Sequence, residues 1–161
     1  ERVRPVCFAL SNPKTQAEIT AKDCYTFSNG RAIFGSGTRF DGEVVNGQLR
    51  EPGQVNNFFV FPGMSFGAVQ CAASAIPERL FMIAAEAVAR CLDARDMEVE
   101  SVVPNPARIR EVSLAVATAV VLEAQRLGLA KAHVADGEDA VRRALESRMW
   151  SPPPRHRRPA H

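Results

Sequence analysis

Three asparagines carry the chemistry this sequence offers most plainly. Asn12 lies in "CFALSNP", residues 7–13, where an apolar run stops at Ser11-Asn12-Pro13. Asn56 and Asn57 stand together in "PGQVNNFFVFPG", residues 52–63, framed by Pro52-Gly53 and Pro62-Gly63. A side-chain amide both donates and accepts hydrogen bonds and stays neutral. An amide just past the end of a buried strand lies where open α/β sheets bind ligands, outside the carboxyl ends of their strands. Pro13 fixes the turn that follows and biases Asn12 toward an extended backbone. A plainer reading competes with this one. Asn12 can be a turn residue, and Asn56 and Asn57 can cap a helix opened by the apolar run "FFVF". The residues alone leave both open.

Other candidate chemistry is sparse. The chain has one tyrosine, Tyr25, and three lysines, Lys14, Lys22 and Lys131. Tyr25 falls in a helical pattern, where core packing is its expected role, and Glu18 and Asp23 fall in the same pattern facing solvent. His133, His156 and His161 come late in the chain, far from any Ser or Asp arrangement that would make a triad. No two carboxylates have a spacing that demands a metal or a glycosidase-like pair. "FGSGTRF", residues 34–40, reads as the start of a phosphate-binding loop. The third glycine position holds Phe40, however, and no helix opens there, so the dinucleotide fingerprint is not met. The four cysteines, Cys7, Cys24, Cys71 and Cys91, form no C-x-x-C pair, and their apolar surroundings predict reduced, buried thiols with no metal.

The elements that must position these residues change character along the chain. "PVCFAL", residues 5–10, reads as a buried strand, and "KTQAEITAKDCYTF", residues 14–27, as a helix closed by Asn29-Gly30. "RAIFGSG" reads as a second strand. Residues 38–54 are rich in turns, with Asp41-Gly42 and Asn46-Gly47 as turn dipeptides. The rest is mostly helical. Small residues dominate from Pro62 to Ala75, which predicts close helix packing. From Pro77 an apolar face follows through Leu80, Phe81, Ala84, Val88 and Leu92. The longest helix pattern is capped by Asn105, has Pro106 in its first turn and ends at Gly128. Ile109, Val112, Val116, Ala119, Val120 and Leu127 make its expected stripe. A last helix spans about residues 136–149, and the Pro- and Arg-rich segment 151–161 is expected to be disordered.

The 161 residues suffice for one domain with a real core, and 46% hydrophobic and 24% charged residues describe an ordinary globular chain. The net charge of +2 includes Arg155, Arg157 and Arg158 of the terminal segment, which leaves the body at −1. A nucleic-acid partner is therefore not expected. No apolar run reaches membrane-spanning length, and no signal peptide is visible. The sequence opens with Glu1 and enters a strand pattern almost at once, as expected of a start inside a domain.

"RPVCFALSNPKTQAEITAKDCYTFSNGRAIFGSGTRF", residues 4–40, resembles the malic enzymes. Their pattern runs roughly R-P-x-I-F-A-L-S-N-P-T-x-x-A-E-C-T-A-x-x-A-Y, then a G-R-x-x-F-A-S-G-S-P-F segment. The resemblance continues through Pro52-Gly53-Gln54-Val55-Asn56-Asn57, through Phe61-Pro62-Gly63, and through "PNPARIREVSLAVATAVVLEAQRLGLA", and covers roughly residues 2–131. Departures include Lys14 for Thr or Ser, Ile19 for Cys and Thr38-Arg39 for Ser-Pro. Lys14, beside Asn12, is expected to disturb its turn.

The resemblance implies an α/β fold: the late strands of a partial Rossmann-like dinucleotide-binding domain, followed by a mostly helical C-terminal region. It divides the chain into residues 1–131 of that domain, a helix over 132–150 and the tail. It implies oxidative decarboxylation of malate to pyruvate and carbon dioxide with reduction of NAD or NADP, assisted by Mg or Mn. Asn12, Asn56 and Asn57 are implied to bind substrate, and Ser11, Asn12 and Asn57 the cofactor. The family's catalytic Tyr and Lys, its metal-binding carboxylates and its glycine-rich loop lie upstream of the matching segment. No catalytic or metal-ligating residue is therefore assigned to this chain, which is expected to be inactive alone. A cytoplasmic homo-oligomer, dimer or tetramer, is implied, with mitochondrion and plastid left open. The alternative is a truncated, non-catalytic remnant that only packs against subunits or binds nucleotide weakly.

Overall fold

Two short apolar runs and a Gly-Gln dipeptide assemble the sheet. In this computed structural model, which describes residues 3–152, strands β1 (Val6–Ala9) and β2 (Ile33–Ser36) run parallel. Val6 lies opposite Ile33 and Ala9 opposite Ser36. Residues 43–45 and 48–50 form the hairpin strands β3 and β4. Gly53–Gln54 is β5, parallel to β2, and the sheet order is β1-β2-β5. Helix α1 (Ala21–Phe27) joins β1 to β2, as a parallel connection requires. Its Cys24 and Tyr25 pack with Ala9, Phe34 and Phe40. The fully buried Phe34 ring meets Tyr25 and Phe40 edge-on, at 6.2 and 6.0 Å.

The helix expected over 14–27 is shorter. Residues 14–16 make a single 3-10 turn, Ala17 is extended, and α1 begins at Ala21. Thr20 sets that start, since its Oγ1 accepts from Asp23 N at 3.1 Å. Glu18 is thus in a loop and not on a helix. The turn-rich stretch 38–54 holds three strands the sequence reading did not separate. Asn46 and Gly47, at φ 52° and 80°, form the tight turn between β3 and β4.

Helices α2 (Phe61–Gln70), α3 (Glu78–Arg90), α4 (Ala94–Glu98), α5 (Ile109–Arg126) and α6 (Glu138–Arg148) follow. A short 3-10 turn capped by Asn105, whose Oδ1 accepts from Ala107 N at 2.9 Å, leads into α5. Gly128, at φ 69°, closes it. Helix α5 is central, so its buried surface is broader than one stripe. Val112, Val116 and Val120 pack with α2 and α3, while Leu114, Ala117, Val121 and Ala124 pack with Val141 and Leu145 of α6. Leu127 lies past its end and is over a third exposed. On α3, Ala87 takes part in the buried face and Phe81 points outward. Helix α2 stops at Gln70, before the Ala-rich residues 72–75. Its Gly63 and Gly67 touch α5 so closely that an added Cβ would lie 2.5 Å from Ser113 O and 2.8 Å from Ala117 O.

Cys24 and Cys71 are buried, as expected, but Cys7 and Cys91 are only half-buried. Most of the segment 151–161, with its three arginines and His156 and His161, lies outside the described residues. Among the described residues no helix is long and apolar enough to cross a membrane.

Candidate functional site

Parallel pairing sends the carboxyl ends of β1, β2 and β5 to one edge of the sheet. Asn12 comes three residues after the end of β1, and Asn56 and Asn57 two and three after the end of β5. With β2 between them, the two asparagine loops leave that edge two strand spacings apart, about 10 Å. Main-chain bonds carry the pairing past the strand ends. Gly37 N donates to Ala9 O at 2.8 Å, and Val55 N donates to Ser36 O at 2.7 Å. Each loop therefore starts from a fixed point.

The asparagines differ in what they have left to offer. Asn12 is exposed, its peptide bond to Pro13 is cis, and its side chain has no hydrogen-bond partner among the described residues. Asn57 is likewise exposed, with an unengaged side chain among the described residues, and opens the 3-10 turn Asn57–Phe59. Asn56 is half-buried and caps that turn: its Oδ1 accepts from Phe58 N at 3.1 Å. The capping reading thus holds for Asn56, whose remaining capacity is its NH₂ group. Buried Phe59 anchors the turn in the core, with the Phe58 ring 4.4 Å away.

Ser11 is already engaged. Its Oγ donates to Glu18 Oε1 at 2.6 Å, and its N donates to Oε2 at 3.3 Å. The Ser11 hydroxyl holds the Glu18 carboxyl below the usual carboxylate range. Ser11 retains only acceptor capacity for a ligand. The Lys14 side chain reaches away from Asn12, toward the loop after β2. Its Nζ lies 3.6 Å from Asp41 Oδ2 and 4.9 Å from the centre of the Phe40 ring. Glu18 is exposed, as expected, but it lies in a loop, and a helical assignment conceals its contact with Ser11. The seven-residue gap back to Ser11 has no helical or strand period that would have signalled the contact.

Tyr25 is core, as expected. Burial pushes its phenol up to about 12, and the Arg50 guanidinium lies 5.4 Å from its ring centre. Among the described residues no three His, Cys, Asp or Glu side chains converge on a point that could hold a metal ion. Concave surface lies elsewhere. A cleft of about 360 Å³ is lined by Arg39, Asp41, Glu51, Gln54 and Asn105, and another of about 490 Å³ lies among α3, α5 and α6. Neither includes an asparagine of the sheet edge. The edge is the better candidate: it is where parallel sheets place ligands, and it carries unpaired amides. The acidic groups of the first cleft are already paired, Glu51 with Arg95 and Asp96 with Arg108.

Residues 1–125 match the family described as malic enzyme, NAD binding domain. An NADP-dependent malic enzyme of Phaseolus vulgaris is 39% identical over 149 residues, 92% of this chain and 25% of that protein. An NADP-dependent malic enzyme of Homo sapiens is 43% identical over 122 residues, 75% of this chain and 21% of that protein. An NAD-dependent mitochondrial malic enzyme of Ascaris suum is 41% identical over 114 residues, 71% of this chain and 18% of that protein. The chain spans a quarter or less of the length of these relatives.

Proposed function

This chain belongs to the malic enzyme family, within its Rossmann-like NAD-binding domain, and from that premise we propose that it works as part of a longer malic enzyme. That enzyme converts malate to pyruvate and carbon dioxide and reduces NAD or NADP. The observation that carries the reading is the delivery of the asparagine loops, by parallel strands, to one edge of the sheet. Asn12 and Asn57 then bind malate and the nicotinamide end of the dinucleotide, with Asn56 adding its NH₂ group and Ser11 an acceptor.

The chemistry of the donors supports this assignment. Malate presents two carboxylates and a hydroxyl, which need donors at defined points. Neutral amides donate without adding charge that would over-bind a dianion. The carboxamide of nicotinamide is itself a donor and acceptor, which an amide side chain complements. The dinucleotide, when bound, accepts the hydride. This chain's part is to hold and orient, which raises the rate by fixing the reacting geometry beforehand. The described residues do not fit Mg or Mn, so no step through a metal is derived for them.

The test compares malate-dependent NAD(P)H formation, with Mn, by the complete enzyme and by the 161-residue chain alone. The complete enzyme is expected to turn over, and the chain alone to be inactive. Asn12→Ala and Asn57→Ala should each lower kcat/KM by about 100-fold in the complete enzyme. Wild-type kinetics in both variants would remove the site. Detection of the native protein at 17.5 kDa, with no larger form, would favour the non-catalytic remnant.

A further inference from the structure

The loop that carries Asn12 has little regular structure to hold it. Between the end of β1 and the Thr20 cap it contains one 3-10 turn, residues 14–16. Two side-chain tethers stand in for secondary structure. At its base, the Glu18 carboxylate accepts from both the hydroxyl and the backbone N–H of Ser11, at 2.6 and 3.3 Å. A hydroxyl bound to a carboxylate at the shorter distance is in the charge-assisted class, roughly twice as strong as a neutral bond. Farther along, Lys14 reaches Asp41 and the Phe40 ring on the loop after β2. Among the described residues Glu18 makes no ion pair, and Ser11 is the one other residue it hydrogen-bonds, beside its own backbone. Asn12 and Pro13 lie between the two tethers. The Asn12 amide itself makes no bond that would aim it.

We infer that Glu18 is a positioning residue for Asn12: by accepting both donors of Ser11 it fixes the backbone entering Asn12, and with it the direction of the amide. The inference rests on the proposed binding of malate by Asn12. An exposed contact of this kind adds little to global stability. Its consequence is geometric: an amide that is no longer aimed holds malate less tightly, which raises KM with little change in kcat.

The experiment measures KM for malate, kcat and the melting temperature in the complete malic enzyme for Glu18→Ala, Glu18→Gln and Asn12→Ala. Glu18→Ala is expected to raise KM about tenfold, with kcat within about threefold of wild type. Its melting temperature should stay within about 2 °C, as for a surface change. Glu18→Gln keeps one acceptor for the Ser11 hydroxyl and should fall between wild type and Glu18→Ala. If Asn12→Ala is impaired while both Glu18 variants keep the wild-type KM, the positioning role is overturned and the site stands. A rise in KM that follows a fall in melting temperature in both Glu18 variants also overturns it. If Glu18→Ala does not fold, Glu18→Gln decides by the same KM criterion. Wild-type kinetics in Asn12→Ala would remove the proposed site beneath it.

Discussion

Arg50 is 6% exposed, and its charge is answered from several directions. Its Nη1 donates to Gly30 O at 2.6 Å and to Ala32 O at 3.4 Å. Its Nε lies 3.2 Å from Glu100 Oε2, but off the axis a hydrogen bond needs. Glu100 is gripped from the other side by two hydrogen bonds from Arg4, at 2.8 and 2.6 Å. That grip holds the Glu100 carboxyl below its usual range, against the opposing effect of burial. Arg50→Ala would leave the Gly30 and Ala32 carbonyls without this donor and Glu100 with one partner. A loss of about 2–4 kcal/mol in urea unfolding is expected. None of this was legible in the sequence, where Arg50 follows a turn dipeptide and its acid stands fifty residues away. Glu123 offers a pH test at the same scale. Arg126, and then Arg79, pull its carboxyl from 4.5 to about 2. A carboxyl depressed in the folded state contributes stability that is full above the unfolded pKa and is lost as pH falls toward the folded one. The difference in urea midpoint between wild type and Glu123→Gln should be flat from pH 7 to about 5, then shrink toward pH 2. A difference that stays constant over that lower range would show that the carboxyl is not depressed.

At the scale of elements, the crossing of α2 on α5 depends on what two residues lack. Gly63 and Gly67 let the α2 backbone lie against Ser113, Val116 and Ala117. Gly67→Val should cost about 1–3 kcal/mol by overpacking, read as a lowered melting temperature. Ser65→Ala, on the exposed side of the same helix, should change stability by less than about 0.5 kcal/mol. This close packing was legible, because the run of small residues over 62–75 announced it. Helix α5 was legible too, through Asn105, Pro106 and Gly128. The sheet was not. Strand β5 is two residues long and has no period to read, and β3 and β4 are three residues each, hidden among turn residues. Their pairing comes from tertiary contact and not from local preference. The start of α1 could have been found, since Thr20 with Asp23 three residues later is a capping signal. So could α4, where Asp93 and Asp96 form a capping box.

For the molecule as a whole, strand β1 is finished on one face and open on the other. Cys7 and Ala9 of β1 turn toward α1, while Val6, Phe8 and Leu10 remain 61%, 48% and 51% exposed on the alternate side. Among the described residues β1 is also an edge strand of the sheet, with one side unpaired. A bare apolar strand at an edge invites pairing with another chain. Expressed alone, the chain should therefore self-associate as concentration rises, by light scattering. Phe8→Lys should suppress this association without a change in helical content by circular dichroism. The sequence foretold an apolar strand here, but alternate exposure follows only from which neighbours the sheet has.

Gly37 sits just past the middle strand, and a Cβ there would overlap Leu10 O at the foot of the Asn12 loop. On the other flank, β5 is bound directly to β2, at the foot of the Asn57 loop. The middle strand is therefore a gauge block between two jaws. The spacing of the asparagine loops is thus set by a residue that belongs to neither loop and whose contribution is the absence of a side chain.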